Sequence, residues 1–163
     1  MRAICPGSFD PCTHGHLDII RRTAVLFDEV VVGVGNNTAK NGLFAPAERV
    51  EMLTEALEGV AGVRVTLISG LLVDFCAEQG IGAIVKGLRF ASDFDYELQM
   101  AQMNHRLTGI ETILLPTAAE WSFVSSTLVR EIAQLGGDVA EFVPAATAAR
   151  IAARVAERNE EKR

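Results

Sequence analysis

Short runs of apolar and β-branched residues recur along the chain at positions 2–5, 29–34, 63–68, 83–85 and 112–115. Each has the length and composition of a strand covered on both faces. Between them the period lengthens. Leu17, Ile20, Ala24 and Phe27 fall three and four residues apart, which gathers them into one stripe of a helix. Similar segments predict helices near 46–58, 71–79 and 92–107, and Pro46 suits a first helical turn, where its missing N–H has no partner to lose. On the last of these, Tyr96, Met100, Met103 and Leu107 recur at helical spacing and are expected to pack, in the core or against another subunit.

Strand and helix alternate throughout, so the expected fold is α/β: a doubly wound, five-stranded parallel sheet with right-handed crossovers. Its ligand crevice should lie beyond the carboxyl ends of the strands. A helix over 125–135 and an Ala- and Arg-rich stretch from Val139 follow the fifth strand. The charged tail 157–163 is expected to fray. No internal repeat or linker divides the chain, and one domain is expected over 1–163.

Composition narrows the partners. With 163 residues, 49% of them apolar, the chain can fill one core. A net charge of −6 with no basic stripe argues against nucleic acid and against an anionic membrane surface. An anionic ligand must therefore meet a local cluster of cations. The first residues lack the pattern of a secretory signal, and apolar runs stop well short of the ~20 residues of a spanning helix. Cys5, Cys12 and Cys76 form no CxxC pair, which indicates neither a disulfide framework nor a zinc site. A soluble, cytoplasmic protein is expected.

Three clusters carry candidate chemistry. Pro6-Gly7-Ser8-Phe9-Asp10-Pro11 follows the first strand and Thr13-His14-Gly15-His16 opens the first helix. Glycine admits a close backbone approach, free N–H groups at a helix start attract anions, and a histidine there can donate to a phosphate oxygen. His14 reads as an exposed polar position. After the fourth strand stand Lys86-Gly87-Leu88-Arg89 and then Asp93-Phe94-Asp95-Tyr96-Glu97. Arg forks onto phosphate oxygens while Lys is a compact mobile charge, so the pair suits neighbouring phosphates. The competing account leaves both cations solvated and paired with Asp93 or Glu97. The third cluster is Trp121-Ser122-Phe123-Val124-Ser125-Ser126-Thr127, with Arg130 a turn later. Three hydroxyls at one helix start exceed what an N-cap needs, and two aromatics could wall a nucleotide pocket. An over-capped helix with core aromatics is the alternative.

Thr-x-Gly-His directly after Gly-Ser-Phe-Asp-Pro resembles the phosphate-binding motif of the HxGH nucleotidyltransferase superfamily, with Thr13 in the first position. Taken with Lys-Gly-Leu-Arg, Asp-Phe-Asp-Tyr-Glu and Trp-Ser-Phe-Val-Ser-Ser-Thr, the chain resembles the bacterial phosphopantetheine adenylyltransferases from residue 2 to about 145. That resemblance implies a Rossmann-like nucleotidyltransferase transferring AMP from ATP to 4′-phosphopantetheine, giving dephospho-coenzyme A and pyrophosphate. Ser8, Lys40, Leu72 and Lys86 would contact phosphopantetheine. Ser8, Phe9, His16, Gly87, Leu88, Arg89, Glu97 and the segment Trp121, Ser122, Phe123, Val124, Ser125, Ser126, Thr127 would contact ATP. It further implies Mg²⁺ carried on the ATP phosphates, a homohexamer built from two trimers, and feedback inhibition by coenzyme A. Lys86 and Ser8 differ from the Arg and Thr common in the family, yet keep the charge and the hydroxyl.

An acceptor phosphate is already anionic, so in-line attack on the α-phosphorus needs no general base and no covalent enzyme intermediate. His16 is expected to donate to the α-phosphate oxygens. A nicotinate- or glycerol-phosphate nucleotidyltransferase, and a catalytically silent nucleotide sensor, are the competing functions.

Overall fold

The computed structural model describes residues 1–36 and 42–161; Lys40 lies outside the described residues. Five strands, β1 (Arg2–Gly7), β2 (Glu29–Gly35), β3 (Val63–Ile68), β4 (Ala83–Leu88) and β5 (Glu111–Pro116), form one parallel sheet in the order β3-β2-β1-β4-β5. The intervening helices are α1 (His14–Leu26), α2 (Pro46–Ala56), α3 (Leu72–Glu78) and α4 (Ala91–Thr108). A short 3₁₀ turn (Ala119–Trp121), α5 (Ser126–Gln134) and α6 (Ala145–Glu161) complete the chain. The doubly wound sheet and its five strand sites match the expectation. β1 and β4 run farther than their apolar runs, to Gly7 and Leu88, because parallel pairing continues into Pro6-Gly7 and Lys86-Gly87-Leu88.

Alternation along the strands sorts side chains into two layers. Ala3, Cys5, Val30, Val32 and Val34 join Leu17 and Ile20 of α1, Leu53 of α2 and Leu57 just past its end on one face. Ile4, Val31 and Ile84 pack with Val73, Phe75 and Cys76 of α3 on the other. A third cluster lies off the sheet, where Leu43, Phe44 and Met52 meet Val129 of α5 and Ile151 of α6. All three cysteines are buried, free thiols.

The last helix runs to Glu161. Arg154 forms ion pairs with Glu48 at 2.6 Å and Glu157 at 3.2 Å, and Arg158 donates to the carbonyl of Gly42 at 2.6 Å, so this turn is tied to the body of the protein. The stripe on α4 is not core. Tyr96, Met100, Met103 and Leu107 are all exposed in the single chain, together with Phe90, Phe94 and Leu98, because α4 presents the larger part of its surface away from the sheet.

Gly33 shows how tightly β2 is packed. A Cβ there would meet Ile68 Cδ1 at 2.5 Å and Ile4 Cδ1 at 2.9 Å. Overpacking of this kind costs about 1–3 kcal/mol. Gly33→Ala is therefore expected to lower unfolding free energy by that amount in urea titration with an unchanged m-value; an unaltered midpoint would show that both isoleucines repack freely.

Candidate functional site

The sheet reverses its order at β1, which has β2 on one side and β4 on the other. Such a switch point opens a crevice at the carboxyl ends of the strands, since the crossovers on either side leave in opposite directions. Here the opening is visible in the register. β1 pairs with β2 along its whole length, from Arg2 with Glu29 to Gly7 with Val34, but with β4 only at Ala3–Ala83 and Ile4–Ile84. Beyond those residues the two strands diverge, and a cavity of about 460 Å³ lies between them. Cys5, Pro6 and Gly7 line it from β1; Val85, Lys86 and Gly87 line it from β4.

His16 reaches this cavity from the first turn of α1. The helix begins with a reciprocal cap: Thr13 Oγ1 accepts from the His16 backbone N–H, and the Thr13 backbone N–H donates to His16 Nδ1 at 3.0 Å. An acceptor at Nδ1 puts the proton of the neutral ring on Nε2, so the cap fixes the tautomer as well as the ring. Burial, followed by the nearby Arg89 and Lys86 charges, pushes the His16 pKa down to about 4. The ring is thus a neutral Nε2–H donor at physiological pH. Phe9 packs edge-on against it, with ring centroids 5.0 Å apart. Phe9 itself has φ 49°, a left-handed conformation costing about 1–3 kcal/mol in a non-glycine residue, and its ring covers Gly7 closely enough that a Cβ there would stand 3.0 Å from it.

Lys86 and Arg89 both enter the cavity and both are paired. Lys86 Nζ lies 3.1 Å from Glu97, and Arg89 makes a fork with Asp93 at 3.0 and 3.2 Å. Asp93 also accepts from the Arg89 backbone N–H, and these contacts hold its carboxyl below the usual range despite the opposing effect of burial. The partners proposed by the competing account are therefore present, and both pairs line the open cavity, Lys86 partly buried and Arg89 exposed. Carboxylates from α4 keep two cations in place beside His16. Gly87 lets this strand approach α1, since a Cβ would stand 2.9 Å from Ile19 Cγ1.

Val124, Ser125, Ser126 and Thr127 close the cavity from the start of α5. Their hydroxyls divide the work. Ser125 caps α5, accepting from the Leu128 N–H at 3.1 Å; Ser126 donates to the Pro11 carbonyl at 2.7 Å; Thr127 Oγ1 accepts from Arg130 at 3.4 Å. Only the first is an N-cap, and the other two each have a partner elsewhere in the chain.

Phe9, His16, Lys86, Gly87, Arg89, Glu97 and the 124–127 segment are thus brought together. Other candidates stand apart from the cavity wall. Ser8 is exposed beside it, and Leu88 contributes a carbonyl that accepts from the Thr117 N–H at 2.7 Å. Trp121 packs on His14, rings 5.0 Å apart, so His14 is not simply a solvated position. Ser122 Oγ donates back to the Ala119 carbonyl, and Phe123 is exposed with its ring nearly perpendicular to that of Phe142. Leu72 lines a smaller cavity of about 70 Å³ that shares Lys86, Tyr96 and Glu97 with the larger one. Thr112 and Asn104 also line that space, and the Thr112 hydroxyl is buried without a hydrogen-bond partner among the described residues. Neither was signalled by sequence, because a threonine in a strand and an asparagine within a helix carry no local pattern. Asp18, which accepts from the Ala118 N–H at 3.1 Å and holds Arg22, was missed for the same reason.

Residues 4–132 match the Cytidylyltransferase-like family, which defines the chain as a nucleotidyltransferase-type α/β protein. Two solved structures share the fold: the nicotinic acid mononucleotide adenylyltransferase of Plasmodium falciparum (TM-score 0.65, 14% identity, 92% of this chain and 93% of that one) and the lipopolysaccharide core biosynthesis protein of Thermoplasma volcanium (TM-score 0.54, 23% identity, 72% and 96%). Curated relatives are far more similar. The phosphopantetheine adenylyltransferase of Nocardioides sp. is 56% identical over 95% of this chain and 98% of its own length. Those of Cutibacterium acnes (56%; 88% and 92%) and Streptomyces coelicolor (58%; 88% and 90%) match nearly as much. The chain belongs to the phosphopantetheine adenylyltransferase family.

The His16 environment sets a pH dependence. Its proton affinity is lower folded than unfolded, so the unfolded chain takes up a proton first as pH falls. The stability associated with a neutral His16 is complete above its ordinary value of roughly 6.5 and is lost as pH falls toward about 4. NMR titration is expected to place the ring near pH 4; titration near the ordinary value would mean that burial and the two cations do not act on it.

Proposed function

We propose that this protein transfers the adenylyl group reversibly from ATP to 4′-phosphopantetheine, forming dephospho-coenzyme A and pyrophosphate in the synthesis of coenzyme A. The observation that carries the proposal is the convergence of a tautomer-fixed, neutral His16 with Lys86 and Arg89 in one crevice at the switch point of the sheet. Relatives named for this activity match nearly the whole chain.

The chemistry follows from charge. The acceptor oxygen forms a bond to the α-phosphorus as the bond to the pyrophosphate oxygen breaks, and negative charge grows on the nonbridging and leaving oxygens. His16 donates Nε2–H to the nonbridging oxygens; being neutral, it costs less to bury than a charged imidazolium and keeps its proton throughout. Ser8, Lys40 and Lys86 hold the attacking phosphate, with Leu72 along the pantetheine arm. Arg89 and the start of α5 meet the departing pyrophosphate. ATP is further contacted by Phe9, Gly87, Leu88, Glu97 and the 121–127 segment. Because Lys86 and Arg89 are pre-paired with Glu97 and Asp93, phosphates compete with carboxylates for cations already fixed in position. Positioning and electrostatics do the catalysis, without a general base.

Magnesium is assigned to the ATP phosphates. Mg²⁺ keeps several waters and commonly binds through substrate phosphates, and among the described residues no group of three His, Cys, Asp or Glu side chains could cage it. When bound it neutralises charge on the triphosphate.

A homohexamer of two trimers is part of the proposal, supported by the exposed apolar row from Phe90 to Leu107, since contiguous apolar surface of this kind marks contacts between proteins. A monomer in sedimentation at assay concentration would remove it. Coenzyme A shares the skeleton of the product and would compete for the same crevice as a feedback inhibitor. The cytoplasm, where ATP is made and free thiols persist, is the proposed compartment. No helix among the described residues is long and apolar enough to cross a membrane.

Pyrophosphate release measured with ATP, Mg²⁺ and either 4′-phosphopantetheine or nicotinate mononucleotide tests the assignment. Release with phosphopantetheine alone is expected; release only with the other acceptor would move the protein to a sister activity, and nucleotide binding without turnover would make it a sensor. His16→Ala should still fold, lose about 1 kcal/mol with the bond from the Thr13 N–H to Nδ1, and turn over ~100-fold more slowly.

A further inference from the structure

Beside the crevice lies a second set of buried charges that adenylyl transfer, as outlined, does not use. Arg49 on α2 is 4% exposed and Asp10, just past the Ser8–Phe9 turn, is 5% exposed. Their charged atoms are 3.5 Å apart. Both carboxylate oxygens of Asp10 accept further bonds, from the Leu43 and Phe44 backbone N–H groups, each at 2.9 Å. Arg49 in turn donates Nε–H to the Phe44 carbonyl at 2.8 Å and Nη1–H to the Ser8 carbonyl at 3.4 Å. The same stretch is held from its far side by Arg154 and Arg158 of α6, which donate to the Leu43 and Gly42 carbonyls.

The turn after β1 needs such a hold. Ladder pairing with β2 ends at Gly7 and Val34, and the next residues are irregular, with Phe9 left-handed. Nothing in the sheet therefore sets the depth of Ser8. A buried ion pair gains little net stability, since desolvation offsets much of the attraction, but a fully hydrogen-bonded one fixes geometry because each partner has a single good arrangement. Here the fixed object is the turn on one side and the approach to α2 on the other. A planar guanidinium suits such a role, because it reaches two carbonyls and a carboxylate at once, which an ammonium does not.

We propose that Arg49 is a positioning residue for the reaction. Through Asp10 and the Ser8 carbonyl it holds the Ser8–Phe9 turn at the depth where phosphate is bound. This rests on the assignment of Ser8 to phosphate given above. Arg49 touches no substrate; it acts by removing the freedom of a turn that the sheet does not control. Misplacement of about 1 Å can cost ~100-fold in rate, so a small displacement of Ser8 is enough to matter.

A double-mutant cycle separates this role from simple stabilisation. Ser8→Ala, Arg49→Met and the double variant are compared in kcat under conditions where circular dichroism shows each to be folded. Each single change is expected to lower kcat by about 10- to 100-fold, and the double variant should fall no more than roughly threefold below Ser8→Ala. Multiplied losses, or a lowered Tm with kcat per folded molecule unchanged, would overturn the proposal. If Arg49→Met does not fold, Arg49→Lys replaces it, keeping charge beside Asp10 without the fork, and the same two outcomes decide. The cycle is repeated on ATP affinity with no acceptor present. Non-additive ATP binding alongside absent phosphopantetheine turnover would preserve the role of Arg49 while overturning the acceptor; additivity in both readouts would overturn Arg49 alone.

Discussion

β1 can pair fully with only one of its two neighbours, and the site follows from that. It takes β2 as far as Gly7, and it leaves β4 after Ile4 and Ile84. The divergence exposes backbone and small side chains at the carboxyl end of β1 and brings the cations of β4 opposite the start of α1. The doubly wound order makes that place a switch point, so helices on both sides lean away and the crevice stays open. The groups proposed to bind phosphate in this crevice are accessible because two strands stop pairing.

Electrostatics then divides the neighbourhood into two layers. Facing the cavity, Lys86–Glu97 and Arg89–Asp93 are partly accessible pairs, open to exchange in the proposed reaction. Beside it, Asp10 with Arg49 is buried and saturated with hydrogen bonds, so no ligand competes for it at the same cost. Exchangeable pairs suit binding and saturated pairs suit geometry. The neutral His16 belongs to the first layer by position and to the second by its fixed hydrogen bond, which is why it can donate without changing charge.

The stretch beyond α5 contributes more than its composition suggested. Its apolar residues fill a small third core with Leu43 and Phe44, while Arg150, Arg154 and Arg158, four residues apart, face α2 and the carbonyls of Gly42 and Leu43. In the sequence these arginines mark only an Ala- and Arg-rich stretch. Their carboxylate partners Glu48 and Glu51 are about 100 residues earlier, and no local pattern signals a pairing of that separation.

The alternation of strand and helix, the five strand positions and the three clusters at strand ends were all legible along the chain, because apolar periodicity, capping chemistry and glycine placement are local properties. Ser8, Phe9, His16, Lys86, Gly87, Arg89, Glu97 and the 121–127 segment could be named from their motifs, and most of them meet in one cavity. The rest waited on packing: that Phe123 and the α4 stripe face outward in the single chain, that Asp10 and Arg49 are buried together, that Thr112 is left unpaired among the described residues, and that His16 sits at a depth that keeps it neutral. These properties depend on desolvation and on contacts between residues tens of positions apart. A chain encodes them only through the packing of its whole fold.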